Sequence, residues 1–392
     1  MRFVVCTYGE IMKSENGISK PKHLAVRIAL FAAFFLLAVG AFAYGVVGYG
    51  HQEEGYQSIS TSADEEEPNY ASGFTLQYYF EGRSDAIKQQ MKQVSEVYST
   101  ALKRAYKLLD KNNAYDGYNN LYTLNIEPGH PVVVSAELYA VLQDAYDKTC
   151  QNQAYSLFSG AVNDHWNSIL YSDDPQNFDP AVNEEERERL ETLTAATMNR
   201  ENFTLIFGEG NTITFTVSDA YQKVLASCEF EGNVLDVGML HDAYVVSIVA
   251  NALEDAGFTE GYLTTESGIT HALSGQKSGK MAVYDANGEV AKQVSYTPGS
   301  AFCQFRLYPL IEGELGYYSV DGHFRSPAAS PLKLNETKHS AAALSKNGSA
   351  PDAAFACLKL LSGGELSDES LPALVITKEG SLVENDKMIE LQ

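Results

Sequence analysis

A chain of 392 residues that is 45% hydrophobic and 11% aromatic can bury a substantial core, in one large domain or two ordinary ones. Its formal net charge of −23 sets it against nucleic acid and anionic lipid headgroups, which excludes a nucleic-acid-binding role. Five Lys/Arg against Glu10 and Glu15 put residues 1–50 at +3, so the remainder carries −26, a surface suited to solubility outside a cell.

Residues 28–50 contain no charged side chain, and these 23 residues at ~1.5 Å each give about 35 Å of helix. That length predicts a transmembrane helix. Lys13, Lys20, Lys22 and Arg27 precede it, while Glu53, Glu54 and the acidic run at 64–67 follow it. The positive-inside rule then places residues 1–27 in the cytoplasm and the rest of the chain outside the cell membrane. A cleaved signal peptide is the alternative, because Ala41-Phe42-Ala43 has the small-x-small form of a cleavage site. Residues 51–72 are polar and acidic and predict a stalk, leaving residues 73–392 as the extracytoplasmic domain.

Within that domain, residues 74–80 alternate like a strand. Ile87, Met91, Val94, Tyr98, Leu102, Ala105 and Leu109 then follow a 3.6-residue period, predicting one long scaffold helix. Residues 132–134 lead to Ser135, a good N-cap for a helix ending near Cys150. An acidic surface loop and polar helix follow over 173–190. Strands are expected at 204–207 and 212–217, joined through Glu209-Gly210-Asn211, and another hairpin turns at Asn287-Gly288. The pattern continues with strands at 302–310 and 317–320, a helix at 351–361 with Pro at its start, and a strand at 373–376. Strands and helices mixed without strict βαβ alternation predict an α+β domain. Cys150, Cys228, Cys303 and Cys357 would all be exported. They allow two disulfides in three pairings, or four separate thiols, and no CxxC or Cys/His cluster suggests zinc.

Residues 234–275 combine a turn, a helix and a strand. Gly238 can adopt positive φ, and Leu240, Tyr244, Ile248, Ala252 and Leu253 recur at helical spacing up to Gly257, a suitable C′ residue. A glycine-bearing turn ahead of a helix can hold a phosphate on free backbone N–H groups. The segment resembles the ApbE-type FAD:protein FMN transferases, in which a run such as D-L-G-G-I-A-K-G-Y-A-V-D opens this helix. Asp236, Gly238 and Tyr244 match that run. Met239 stands at the second glycine, Asp242 at the lysine, Ala243 at the glycine after it and Ser247 at the final acid. Glu266, Ser267 and Gly268 stand where the family has G-G-D. At an effective dielectric near 20 and ~4 Å, a unit-charge contact is about 4 kcal/mol, so a carboxylate for a lysine turns attraction for a phosphate into repulsion of that order.

Three further segments fit the resemblance in chain order. Phe158, Val162 and Trp166 match packing positions of a family segment that ends near tryptophan. His323-Phe324-Arg325-Ser326-Pro327 resembles H-x-x-D-P, with Ser326 at the acid. Asp352-Ala353-Ala354-Phe355-Ala356 resembles D-A-x-x-T, whose acid and threonine, one helical turn apart, suit a hard cation such as Mg²⁺; here Ala356 stands at the threonine.

The resemblance implies an ApbE-like flavin transferase fold behind the N-terminal transmembrane helix. It implies FAD contacts at Asp236, Gly238, Tyr244 and His323, and Asp352 as a Mg²⁺ ligand. Two functions follow from it. One is a Mg²⁺-dependent FMN transferase that cleaves FAD and modifies a Thr or Ser of a flavoprotein acceptor. The other is a domain that keeps the scaffold without the reaction and serves as a binding or assembly partner, for instance of a surface redox protein; the substituted charged positions favour it. G-x-S-x-G, H-E-x-x-H, P-loop and G-x-G-x-x-G patterns do not occur in the chain.

Overall fold

The computed structural model describes residues 54–59, 61, 70–151, 155–285, 287–308, 316–326, 338–363, 373–377, 382–384 and 387–389. The expected transmembrane helix at 28–50 and the acidic run at 64–67 lie outside these residues. Among the described residues, no helix is long and apolar enough to cross a membrane.

The N-terminal half contains β1 (Gly55–Ile59), β2 (Phe74–Phe80), α1 (Ser84–Leu109), α2 (Leu121–Ile126), β3 (Pro131–Val133), α3 (Ala136–Gln151), α4 (Gly160–Leu170), α5 (Glu184–Met198), β4 (Phe203–Gly208), β5 (Thr212–Val217) and α6 (Asp219–Ser227). The C-terminal half contains α7 (His241–Asp255), β6 (Gly261–Thr265), β7 (Ile269–Ala272), β8 (Gly279–Tyr284), β9 (Val290–Tyr296), β10 (Ala301–Arg306), β11 (Tyr317–Tyr318), β12 (Phe324–Arg325), β13 (Lys338–Ser345), α8 (Ala350–Leu361), β14 (Ala373–Thr377), β15 (Leu382–Glu384) and β16 (Lys387–Ile389).

Among the described residues the main sheet is nine-stranded, in the order β1-β2-β6-β7-β10-β13-β14-β15-β16. Every neighbouring pair in it is antiparallel. The two-residue period of a strand explains how it is covered on both faces. Ala301, Cys303 and Phe305 of β10, Ala341 and Ala343 of β13, and Ala373 and Val375 of β14 join the large core with α1, α7 and α8. The alternate residues Phe302, Ala342, Leu344, Leu374 and Ile376 face a second cluster with Val283 of β8 and Tyr296 of β9. The small side chains of β13 let α8 lie close to the sheet. Each fully buried Leu, Val or Phe here contributes about 1.5–3 kcal/mol of transfer free energy.

The long helix forms as its periodicity predicts: α1 spans 26 residues and buries Ile87, Val94, Tyr98, Leu102, Ala105 and Leu109. Ser135 accepts the backbone N–H of Leu138 at 3.1 Å and caps α3. The expected hairpins form as β4–β5 and β8–β9. Cys150, Cys228, Cys303 and Cys357 are all free thiols, three of them buried.

One boundary differs from expectation. Gly55–Ile59, placed in the stalk by its acidic surroundings, is the edge strand β1, in register with β2 from Gly55 opposite Phe80 to Ile59 opposite Leu76. Ile59 is buried and Tyr56 donates a hydrogen bond to Gln276 at 3.0 Å. A five-residue strand is too short to show against a charged average, and its partner strand starts only at Phe74.

Candidate functional site

The turn ahead of α7 sits against α4. Phe158 and Asp236 form an isolated parallel bridge, and the Asp236 N–H donates to the Leu157 carbonyl at 2.9 Å. Gly238 has φ +51°, and a Cβ there would lie 2.9 Å from Asn163 Nδ2. A Gly238→Ala substitution is therefore expected to lower stability by about 1–2 kcal/mol for the left-handed backbone alone, plus whatever displacing Asn163 costs. Chemical denaturation of the pair would show it, and an unchanged midpoint would mean the turn can relax.

Asp236 is held on every side. Its Oδ1 accepts the Gly238 N–H at 2.8 Å, and its Oδ2 accepts Lys111 Nζ at 2.9 Å and Asn163 Nδ2 at 3.1 Å. Lys111 also reaches Asp164 Oδ1 at 2.6 Å. The ammonium is thus a partly buried cation between two carboxylates. Burial by itself would lower the Lys111 pKa, but the charges of Asp236 and Asp164 outweigh it and raise the value. Burial would raise Asp236, but the Lys111 charge and the three donated hydrogen bonds hold it below the usual carboxylate value. For Asp164 burial wins and the pKa rises despite Lys111.

A second polar group follows at the start of α7. Asp242 Oδ1 pairs with His241 Nδ1 at 3.0 Å and its Oδ2 accepts Ser267 Oγ at 2.6 Å. Burial opposes both charges, yet the pairing with Asp242 raises His241 and the contact with His241 lowers Asp242. Asp242 replaces a lysine of the family run, and its charge is met by its own neighbour in sequence.

Both groups line one cavity of about 1220 Å³, larger than the range typical of small-molecule sites. Its polar lining includes the cations Lys111 and Arg306, the carboxylates Asp164, Asp236, Asp242 and Glu266, and His241 and Ser267, while Trp166, Met239, Met281, Phe302 and Phe324 supply aromatic and apolar surface. Four carboxylates against two permanent cations disfavour a polyanion, and the rings suit a planar aromatic ligand.

The structure brings together only some of the residues singled out by pattern. Asp236 and Gly238 line the cavity. Tyr244 points elsewhere: it is buried and donates from its hydroxyl to Asp144 Oδ2 at 2.8 Å. His323 sits in the turn between β11 and β12 and pairs with Asp321 at 3.0 Å. Phe324 and Ser326 line the cavity, whereas Arg325 reaches Asp179 at 3.0 Å and His323 is not part of the cavity lining formed by the described residues.

Asp352, in the first turn of α8, pairs with Lys148 Nζ at 2.7 Å, and Lys148 also meets Asp144 at 2.6 Å. The donor set there does not fit Mg²⁺. One carboxylate is engaged by an ammonium, the position a turn later is the buried Ala356, and the described residues hold no cluster of three or more His, Cys, Asp or Glu able to bind a metal.

Lys111, Asn163, Asp164 and His241 carry no motif and escape pattern reading. The one local hint is Asn163, a turn beyond Ser159 at the start of α4, which donates to Ser159 Oγ at 3.0 Å.

No family model and no curated protein matches the chain by sequence. Among solved structures it is similar to the ApbE protein of Thermotoga maritima, with a TM-score of 0.55 and 15% identity over 84% of this chain and 97% of that one. The flavin transferase ApbE of Vibrio cholerae is similar with a TM-score of 0.52 and 16% identity, covering 85% and 96% of the two chains. For the flavinyl transferase ApbE of Pseudomonas stutzeri the TM-score is 0.51 and the identity 15%, with 86% and 94% covered. TM-scores above 0.5 with near-complete coverage of those chains show that this chain has the fold of the ApbE flavin transferases.

Proposed function

We propose that this chain is a membrane-anchored, extracytoplasmic ApbE-like domain that binds a flavin-type ligand in its cavity without transferring it, acting as a binding or assembly partner of a flavoprotein. The carrying observation is the placement of Lys111. The ammonium that could meet a transferring phosphate is held 2.6 and 2.9 Å from two carboxylates of its own chain. Phosphoryl transfer depends on positive charge aimed at the reacting group, and a cation already neutralised supplies little of it. Aromatic and apolar surface around the cavity still supports holding a flavin ring. The anchor and the outward orientation rest on the uncharged run at 28–50 and the charges flanking it.

Full-length protein in detergent, incubated with FAD, Mg²⁺ and an acceptor protein bearing an exposed threonine or serine, separates the readings. Saturable quenching of flavin fluorescence with no AMP release is the expected result. Mg²⁺-dependent AMP release with covalent flavin on the acceptor would overturn it in favour of an active FMN transferase. Absence of any flavin binding would remove the flavin from the proposal.

A further inference from the structure

We infer that Lys148 is a built-in replacement for a divalent cation: its ammonium occupies the position between Asp144 and Asp352 that a metal ion would otherwise take. This goes beyond the flavin-binding reading, and its readout, metal binding, is independent of flavin.

The geometry is that of a cation site filled by a side chain. Lys148 comes from the last turn of α3 and is only 4% exposed, whereas the carboxylates it joins are 42% and 36% exposed. The positive charge therefore lies inward, with oxygen atoms between it and solvent. Asp144 lies one helical turn before Lys148 and is oriented by the Tyr244 hydroxyl on its other oxygen. Asp352 comes from α8, where Ser349 Oγ accepts the Asp352 N–H at 3.1 Å and fixes the first turn. The Phe355 ring lies 5.8 Å from the ammonium and adds a cation–π contact beneath it.

Two carboxylates from different helices converging on one point repel unless a cation sits between them. A hard divalent ion with oxygen ligands is one solution and an ammonium on a stem is another. Only the metal ion has open coordination positions for a substrate oxygen, so a lysine preserves the helix-to-helix link and forfeits Lewis-acid chemistry. The same exchange accounts for Ala356: with no metal to ligate, the neighbouring position has no need of a hydroxyl and packs into the core instead.

The test is Mn²⁺ binding by the full-length protein, followed through the electron paramagnetic resonance signal of free Mn²⁺. The wild type is expected to bind no stoichiometric Mn²⁺. Lys148→Ala is expected to bind one ion per chain, displaced by Mg²⁺ and lost when Asp352→Asn is added. Its thermal midpoint should rise by about 5 °C at Mn²⁺ levels near 100 times Kd, while that of the wild type stays fixed. One Mn²⁺ bound by the wild type and abolished by Asp352→Asn would overturn the inference. So would a folded Lys148→Ala chain that binds none. If Lys148→Ala does not fold without metal, refolding with and without Mn²⁺ decides: rescue by Mn²⁺ supports the inference. Failure of rescue passes the question to Lys148→Ser, which keeps both carboxylates, where a midpoint unmoved by Mn²⁺ overturns it.

Discussion

Replacing Lys111 by methionine is expected to destabilise the fold by about 2–4 kcal/mol at neutral pH, because it leaves two partly buried carboxylates without their cation. Asp236 and Asp164 then face each other across the space the ammonium filled. The pH dependence follows from the directions of the shifts. Asp236 has a folded pKa below the ordinary carboxylate value, so its contribution is present above that value and lost as pH falls through the folded pKa. Lys111 has a raised pKa, so its contribution is present below the ordinary lysine value and disappears as pH rises through the folded one. The difference between wild type and Lys111→Met should therefore be greatest across the neutral range and narrow in acid, where the carboxylates of the variant become protonated. Urea unfolding at neutral and acidic pH measures this; a gap of constant size would mean that the lysine acts by packing its stem and not through its charge.

Phe158→Ala is the second large expected effect, about 3–5 kcal/mol for truncating a buried aromatic. Phe158 is 2% exposed. Its ring stacks on Phe203 at 4.2 Å with 10° between planes, and lies 5.9 Å from and nearly parallel to Phe215. It thereby ties the β3-β5-β4 sheet to the segment that enters α4. Since Phe158 also bridges to Asp236, the cavity wall should loosen along with the core. A variant that unfolds earlier and binds flavin more weakly in proportion would support this link. A loss under about 1.5 kcal/mol would show that the neighbouring rings close over the gap.

Much of the scaffold was legible along the chain, for reasons particular to each element. α1 repeats its apolar positions for 26 residues, long enough that no local accident imitates it. The Gly210 and Gly288 turns announce two hairpins because their φ values of +66° and +77° favour glycine. β1 was lost within an acidic stretch because it is short and is stabilised by a partner strand beyond residue 70.

The site was legible in only one part. The turn at Asp236 and Gly238 stands out because both its conformation and its capping are local, with Asp236 Oδ1 accepting the Gly238 N–H at 2.8 Å. Tyr244 and Asp352 resemble ligand-contacting positions by spacing, yet both engage the Asp144 and Lys148 cluster, which no spacing rule connects to them. His323 matched a motif but sits in the turn before β12 and pairs with Asp321, while Phe324 and Ser326 line the cavity.

By itself the sequence determined the charge-free run at 28–50, the acidic surface, the α+β class and the glycine turn ahead of α7, because each depends on composition or on neighbours a few residues apart. Only the tertiary structure decided where the charges are balanced. Lys111 meets Asp164 and Asp236 from 53 and 125 residues away, and Lys148 meets Asp352 across 204. Electrostatic energy depends on distance in space and on exclusion of water, and neither quantity is written in the order of the residues.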